Sequence, residues 1–272
     1  MYILFDLGGS KIRVASTANG KKFSEPQIAK TPKNFKEGIK VFKSLIQVVS
    51  QGKKIQAVAG GTPGYFDEKR TKIMGCAPNI SGWIKKPLAS EIQKITKSPV
   101  YLENDSALVG LGEAVYGAGR GYPIVAYLTV STGVGGSRIV DGRVDRGAQS
   151  FEPGNQFIDF KNRKTLEDFV GGRSVTKKYH KKPYEILDKK FWDRMAEILS
   201  FGINNTIAHW SPDVVVIGGS MMKKIGIKIP KTKYYLSKIL KAAPLPPIKK
   251  AALGDFGGLY GGLALIKQKS KR

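Results

Sequence analysis

A short glycine pattern occurs twice, about half a chain apart, and it constrains this chain more than any other feature. Near the N-terminus it reads Leu7-Gly8-Gly9-Ser10-Lys11-Ile12, and later Val134-Gly135-Gly136-Ser137-Arg138-Ile139. Each copy follows an apolar run, Tyr2-Ile3-Leu4-Phe5 and Ile124-Val125-Ala126-Tyr127-Leu128, and precedes β-branched residues. Each therefore reads as strand, tight glycine turn, strand. Two such hairpins predict two similar domains facing each other. Bare glycine backbone lets N–H groups point at anionic oxygens, so the turns suit the two ends of a polyphosphate. The expected chemistry is phosphoryl transfer.

At 272 residues and 41% hydrophobic content, the chain can build one large core or two ordinary ones. Its 32 glycines cluster in pairs beside apolar runs, a pattern of turns and ligand loops rather than of disorder. No apolar run is long enough to span a membrane, and no basic leader with a cleavage site precedes the first strand. One cysteine, Cys76, excludes an internal disulfide and a cysteine cluster for zinc. These features predict a soluble, cytoplasmic protein without membrane contacts. Lys and Arg number 46 against 21 Asp and Glu, a net charge of +25. Such a field attracts polyanions. The lysines are spread along the whole chain, however, and no nucleic-acid-binding motif accompanies them. The charge is read as a lysine-rich surface, with a polyphosphate ligand as an alternative and nucleic acid set aside.

Along the chain, residues 2–16 predict a hairpin and 35–50 an amphipathic helix with Phe35, Ile39, Phe42, Leu45, Ile46 and Val49 on one face. Residues 55–59 form a buried strand ending in the loop Gly60-Gly61-Thr62-Pro63-Gly64. A helix at 88–95, a strand at 100–102 and a small-residue helix at 106–116 follow. The second half repeats the plan. A hairpin spans about 124–144 with Asp141-Gly142 as its turn. Residues 145–164 are polar and irregular, a helix begins at Thr165 and runs to Lys178, and a clear amphipathic helix covers 191–210. A buried strand at 214–217 ends at Gly218-Gly219. A Pro/Lys-rich stretch occupies 228–250, and a last apolar helix covers 257–267. Alternating strands and helices predict α/β with parallel strands. The expected domains are 1–115 plus about 256–272, the smaller one, and 116–255, the larger one.

Asp6-Leu7-Gly8-Gly9-Ser10-Lys11 resembles the first phosphate motif, D-x-G-G-T-K, of the ROK sugar kinases, in the actin and hexokinase superfamily. Further segments are similar to the rest of that family's motifs, in order. They are Gly61-Thr62-Pro63-Gly64-Tyr65-Phe66-Asp67, Ala77-Pro78-Asn79-Ile80-Ser81-Gly82-Trp83, Glu103-Asn104-Asp105-Ser106-Ala107, Ser131-Thr132-Gly133-Val134-Gly135-Gly136, Val216-Ile217-Gly218-Gly219-Ser220 and Leu253-Gly254-Asp255-Phe256-Gly257-Gly258-Leu259-Tyr260-Gly261. Any one glycine motif is weak; seven in the right order are specific. The resemblance implies two similar ribonuclease-H-like, actin-like ATPase domains around a central cleft. It also implies ATP with Mg²⁺ as cofactors, a hexose as substrate and Asp105 as the catalytic base.

From the residues alone, a carboxylate at the end of a strand lies where ligands bind in open α/β sheets, and it could accept a hydroxyl proton as the P–O bond forms. Asn104 and Asp105 are equally good helix N-caps, and a cap and a base are compatible. By resemblance, Asp6 positions Mg²⁺ and the transferring phosphate; otherwise it is a turn aspartate. Gly8, Gly9, Ser10 and Lys11 would contact phosphate, as would Thr132 and Gly133 from the other domain, and Gly218 and Gly219 would pass the nucleotide. Asn79 and Asn104 offer amides to sugar hydroxyls. Glu152 and Glu167 resemble family glutamates that contact the sugar near C1 and C2. The alternative reading takes Glu167 as a first-turn helix glutamate and Glu152 as a solvated loop residue.

The segment after Glu152 departs from the family pattern. Asn155 stands for a histidine, and the cysteine cluster that binds structural zinc with it is missing, so no zinc is expected. Packing of Phe151, Phe157 and Phe160 is expected to hold that loop instead. His180 and His209 lie near no motif and read as structural. The leading function is ATP-dependent phosphorylation of the 6-hydroxyl of glucose or a related hexose. The alternatives are a non-catalytic sugar-binding ROK-type protein, or a glucokinase using polyphosphate. ROK-type regulators carry a helix-turn-helix ahead of the first strand, which this sequence does not show. A homodimer is kept open.

Overall fold

The structure is a computed structural model describing residues 1–147, 150–241 and 244–270. The chain divides into two compact units. Unit 1 comprises Met1–Val115, Arg146–Ser150 and Asp255–Arg272; unit 2 comprises Tyr116–Asp145 and Phe151–Gly254. Each has its own apolar core.

Unit 1 is built on a five-stranded sheet of β1 (Tyr2–Leu7), β2 (Lys11–Thr17), β3 (Gln27–Lys30), β4 (Ala57–Thr62) and β7 (Val100–Asn104), in the order β3-β2-β1-β4-β7. β1 runs antiparallel to β2 and parallel to β4, which is parallel to β7. A small hairpin, β5 (Tyr65–Phe66) with β6 (Ile73–Gly75), follows β4. Helices α1 (Phe35–Ser50), α2 (Leu88–Thr96), α3 (Asp105–Tyr116) and α8 (Gly257–Ser270) cover the sheet. The run Ile3-Leu4-Phe5 is buried throughout because β1 is covered on both faces, as parallel α/β sheets require. α1 starts where Asn34 caps the Glu37 N–H, and its apolar face carries Phe42 and Ile46 into the core beside the fully buried Trp83.

Unit 2 repeats this topology with β8 (Ile124–Val130), β9 (Val134–Val140), β10 (Arg143–Val144), β13 (Val214–Gly218) and β14 (Ile248–Lys250), ordered β10-β9-β8-β13-β14. β8 is antiparallel to β9 and parallel to β13. Between them lie a small hairpin, β11 (Phe157–Asp159) with β12 (Lys164–Thr165), and the helices α4 (Leu166–Val170), α5 (Gly172–Tyr179), α6 (Lys189–Trp210) and α7 (Ile229–Ile239).

Several elements differ from the sequence expectations. The second glycine pair is not a turn: Gly135 and Gly136 lie inside β9, opposite Thr129 and Leu128. The β8–β9 turn is Ser131-Thr132-Gly133, one step earlier. Gly136 is bare because a Cβ there would come 2.6 Å from the Tyr127 carbonyl oxygen and 2.7 Å from Pro153 Cγ. Asp141-Gly142 joins β9 to β10 instead of closing the first hairpin, with both residues at positive φ (49° and 67°), as a tight hairpin turn demands. The helix expected over 165–178 breaks at Gly171 into α4 and α5. α7 lies within the Pro/Lys-rich stretch. The edge strand β3 has only four residues with no apolar alternation, so nothing in its sequence announces it. Arg146–Ser150 also joins unit 1 without a sequence signal.

The loop after Glu152 is not held by its phenylalanines. Phe160 is 93% and Phe157 64% exposed. Polar closure does the work. Asp159 accepts the Asn162 N–H at 3.0 Å and its side-chain amide at 2.8 Å, while Thr165 and Asp168 form a reciprocal cap on α4. Phe151 does pack, edge-on to Trp210.

Candidate functional site

In unit 1 the candidate residues gather at the C-terminal ends of β1, β4 and β7. The Gly8–Ser10 turn is fastened by Gly8 N–H to Lys11 carbonyl (2.9 Å), Thr31 N–H to Ser10 carbonyl (3.0 Å) and Thr31 hydroxyl to Gly8 carbonyl (2.7 Å). Ser10 and Lys11 are exposed beyond it. Gly9 must lack a side chain because Asn79 packs on it: an added Cβ would lie 2.6 Å from Asn79 Cβ and 2.9 Å from Nδ2. The short 3-10 turn Pro78–Trp83 delivers Asn79, anchored by Trp83, whose indole N–H donates to the Pro32 carbonyl at 2.9 Å.

Asp6 lies opposite Arg13 and Gly61 in the sheet and accepts a hydrogen bond from the Arg13 guanidinium at 3.1 Å. Burial outweighs that attraction and pushes its pKa up to about 6, and the charge of Asp105 pushes the same way. α8 starts directly against it, since a Cβ on Gly258 would be 3.0 Å from Asp6 Cγ. Asp105 opens α3; its Oδ1 accepts the Ser106 N–H at 2.8 Å, while burial raises its pKa above the ordinary carboxylate range. Asn104 is the helix cap: its Oδ1 accepts the Ala107 N–H at 3.1 Å and its Nδ2 donates to the Gly64 carbonyl at 3.1 Å. The capping alternative therefore describes Asn104, and little of its amide remains for a ligand.

Asp6 feels the like charge of Asp105, and the Arg13 guanidinium bonds Asp6 alone of the two, so the pair is short of positive charge. That, with an all-oxygen donor set, fits Mg²⁺, a hard cation that takes one or two carboxylates and completes its shell with phosphate oxygens and water. Among the described residues no three His, Cys, Asp or Glu side chains cluster as a complete protein cage.

In unit 2 the turn Ser131–Gly133 is built from both sides. Ser131 N–H bonds the Gly133 carbonyl (2.8 Å), and the first N–H groups of α5, from Gly172 and Arg173, bond the Ser131 and Thr132 carbonyls (2.7 and 2.9 Å). Glu167, in the first turn of α4, accepts the Val134 N–H at 2.7 Å, and its carboxylate fills the space a side chain at Gly133 would need. Glu167 thus braces the turn. Gly218 ends β13, and Gly219 turns at φ 98° against Val130, where only glycine fits. Ser220 Oγ lies 3.0 Å from Ser131 Oγ, bringing the two loops together.

Beside these loops lies a cavity of about 820 Å³, lined by Ser131, Thr132 and Ser220 and by five cations, Arg173, Lys177, Lys182, Lys223 and Lys224, with Tyr184 and Ile225. Sequence reasoning missed this set. The lysine run 177–182 was visible but could not be told from the lysine-rich surface. Glu152 is exposed and lines a smaller cavity of about 200 Å³ with Gln156, Trp210 and His209. His209 is therefore not remote from every motif, as expected, but shares a cavity with Glu152.

The sequence profile of the ROK family matches residues 2–269. The chain belongs to the ROK family. Over 98% of its length it is 26% identical to an N-acetyl-D-glucosamine kinase of Histophilus somni, 99% of which is covered. It is likewise 26% identical to a glucokinase of Thermotoga maritima, with 80% of this chain and 81% of the relative aligned. The crystal structure of a ROK hexokinase from Thermus thermophilus superposes with a TM-score of 0.83 at 26% identity, covering 99% of both chains. The mixed α/β architecture with two sheets is accordingly that of the ROK kinases, the two-domain actin-like ATPase fold. No helix among the described residues is long and apolar enough to cross a membrane.

Proposed function

We propose that this ROK protein is an ATP-dependent hexose kinase that phosphorylates the 6-hydroxyl of glucose or a related hexose such as N-acetylglucosamine. The observation that carries this reading is the pair of largely buried carboxylates, Asp6 near the end of β1 and Asp105 directly after β7, on strands separated by β4 in one sheet. Asp105 orients the sugar hydroxyl and accepts its proton as the new P–O bond forms, and its raised pKa brings its basicity closer to neutral pH. Asp6 would hold Mg²⁺ together with phosphate oxygens and water. When bound, that ion neutralises charge on the transferring group. Gly8, Gly9, Ser10 and Lys11 hold phosphate from the unit 1 turn. Thr132 and Gly133 offer backbone donors in unit 2, where the cationic cavity and Gly218-Gly219 receive the nucleotide. Asn79 contacts sugar hydroxyls. Glu152 and the Glu167 oxygen not used by Val134 N–H are assigned to the C1–C2 end.

The test is a coupled assay with Mg²⁺ and ATP over a panel of glucose, mannose, N-acetylglucosamine and N-acetylmannosamine. At least one sugar turns over, and Asp105→Asn lowers kcat by about 10²- to 10⁴-fold, the usual contribution of a general base. Inertness with every sugar, or full activity of Asp105→Asn, refutes the proposal. A second donor is favoured by the five cations of the large cavity. Inorganic polyphosphate replacing ATP in the same assay decides that reading.

A further inference from the structure

The last three residues of β7 are fastened by a charge cluster that the reaction outlined above does not use. Glu103, 2% exposed, precedes Asn104 and Asp105. Its Oε1 accepts the Asn104 N–H at 3.0 Å and pairs with the Arg70 guanidinium. Its Oε2 accepts from Arg146 at 3.0 Å. Arg70 also donates its Nε–H to the Leu102 carbonyl at 3.2 Å and stacks over the Phe66 ring at 4.7 Å. One cluster therefore grips a carbonyl of Leu102, the side chain of Glu103 and, through it, the N–H of Asn104.

Arg70 reaches this position at a backbone cost. It sits at φ 53°, in the left-handed region that non-glycine residues rarely adopt. The turn around it is held by the Asp67 carboxylate, which accepts from Thr71 N–H (2.6 Å), Thr71 hydroxyl (2.7 Å) and Lys72 N–H (2.8 Å). Strain retained by a rigid turn, with the strained residue's side chain aimed at the end of β7, points to a positioning task.

Arg146 completes the cluster. Arg70 and the Asn104 N–H both bond Glu103 Oε1, so the partner of the buried Oε2 is Arg146, itself 48% exposed. Its charge works against Arg70, whose pKa is lowered first by burial and then by Arg146. Yet Arg146 begins Arg146–Ser150, a short segment belonging to unit 1 although the chain on either side of it belongs to unit 2.

We propose that Arg146, together with Arg70, is a positioning residue for Asp105, acting through Glu103 to fix the β7–α3 junction in the geometry phosphoryl transfer requires. The inference rests on the assignment of Asp105 as base. A displacement of the base by about 1 Å suffices to slow transfer by about 100-fold.

The experiment compares Arg146→Met and Arg146→Lys in the coupled assay, using the best hexose of the panel, with thermal unfolding of each variant measured in parallel. Arg146→Met is expected to lower kcat by about 10- to 100-fold with the KM for ATP unchanged and the protein still folded at the assay temperature, although the unfolding midpoint falls because Glu103 Oε2 loses its partner, and Arg146→Lys to restore most of the loss. Glu103→Gln combined with Arg146→Met is expected to be no slower than Glu103→Gln alone. Unchanged kcat in Arg146→Met overturns the proposal. So does a loss of activity matched by a loss of folded protein. If Asp105→Asn retains activity, the underlying assignment fails. If Asp105→Asn is inactive while Arg146→Met is not, only the inference drawn here fails.

Discussion

Replacing Asp6 by Asn should make the ligand-free protein more stable while removing its activity. The carboxyl group has an unfolded pKa of 3.8 and a folded pKa of about 6, raised chiefly by burial despite the Arg13 hydrogen bond. A raised acid pKa means the charged form is disfavoured in the fold. Below about pH 4 the group is protonated in both states and costs nothing. The penalty grows as pH rises through the folded pKa and is present in full above it. A shift of about two units corresponds to about 3 kcal/mol. Asn imitates the protonated acid, so Asp6→Asn should gain up to about 3 kcal/mol at pH 8 and almost nothing at pH 4. Urea unfolding of the two proteins at both pH values measures this. Mg²⁺ with ATP should narrow the difference at pH 8, because only the wild type would bind the ion through this carboxylate. A variant no more stable than wild type at pH 8, or equally stabilised at both pH values, refutes the reasoning. The first result would mean that Arg13 already compensates the buried charge.

Three further outcomes are expected. Gly9→Ala drives a methyl group into Asn79 from within the phosphate turn, so the hexose KM should rise about tenfold and the KM for ATP should rise with it, as steady-state kinetics would show. Lys177→Ala with Lys182→Ala should raise the KM for ATP and flatten its dependence on salt, since charge in the large cavity is what salt screens. Gly219→Ala places a Cβ 2.2 Å from the Val130 carbonyl at a positive φ, so it should lose about 1–3 kcal/mol of stability by urea unfolding and bind nucleotide poorly.

The buried strands and amphipathic helices were legible in the sequence because apolar periodicity reports burial directly, as Ile3-Leu4-Phe5 and the Phe42–Ile46 face show. Register was not. The two glycine pairs match letter for letter, yet Gly8-Gly9 make a turn and Gly135-Gly136 pair within a strand. Composition cannot distinguish glycine needed for bending from glycine needed for close approach. The motif residues could be named, but not what their atoms are already doing. Asn104 spends its amide on Ala107 and Gly64, and Glu167 spends an oxygen on Val134. Arg70 and Arg146 were invisible because the residues they join are 33 and 43 positions from their partner. The exposed Phe157 and Phe160 show the converse: aromatic content in a loop is not evidence of a core.

α8 carries a consequence for the order of events on the ribosome. It belongs to unit 1 and abuts Asp6, but it is made after the whole of unit 2. At typical elongation rates about 10–30 s separate the emergence of α3 from that of α8. During that interval β1 and β4 lack the cover that α8 gives them, while unit 2 can complete its core. The carboxylate at the end of β1 is thus enclosed only after the whole of unit 2 has been made, and a nascent chain completes the cationic cavity of unit 2 before it covers Asp6.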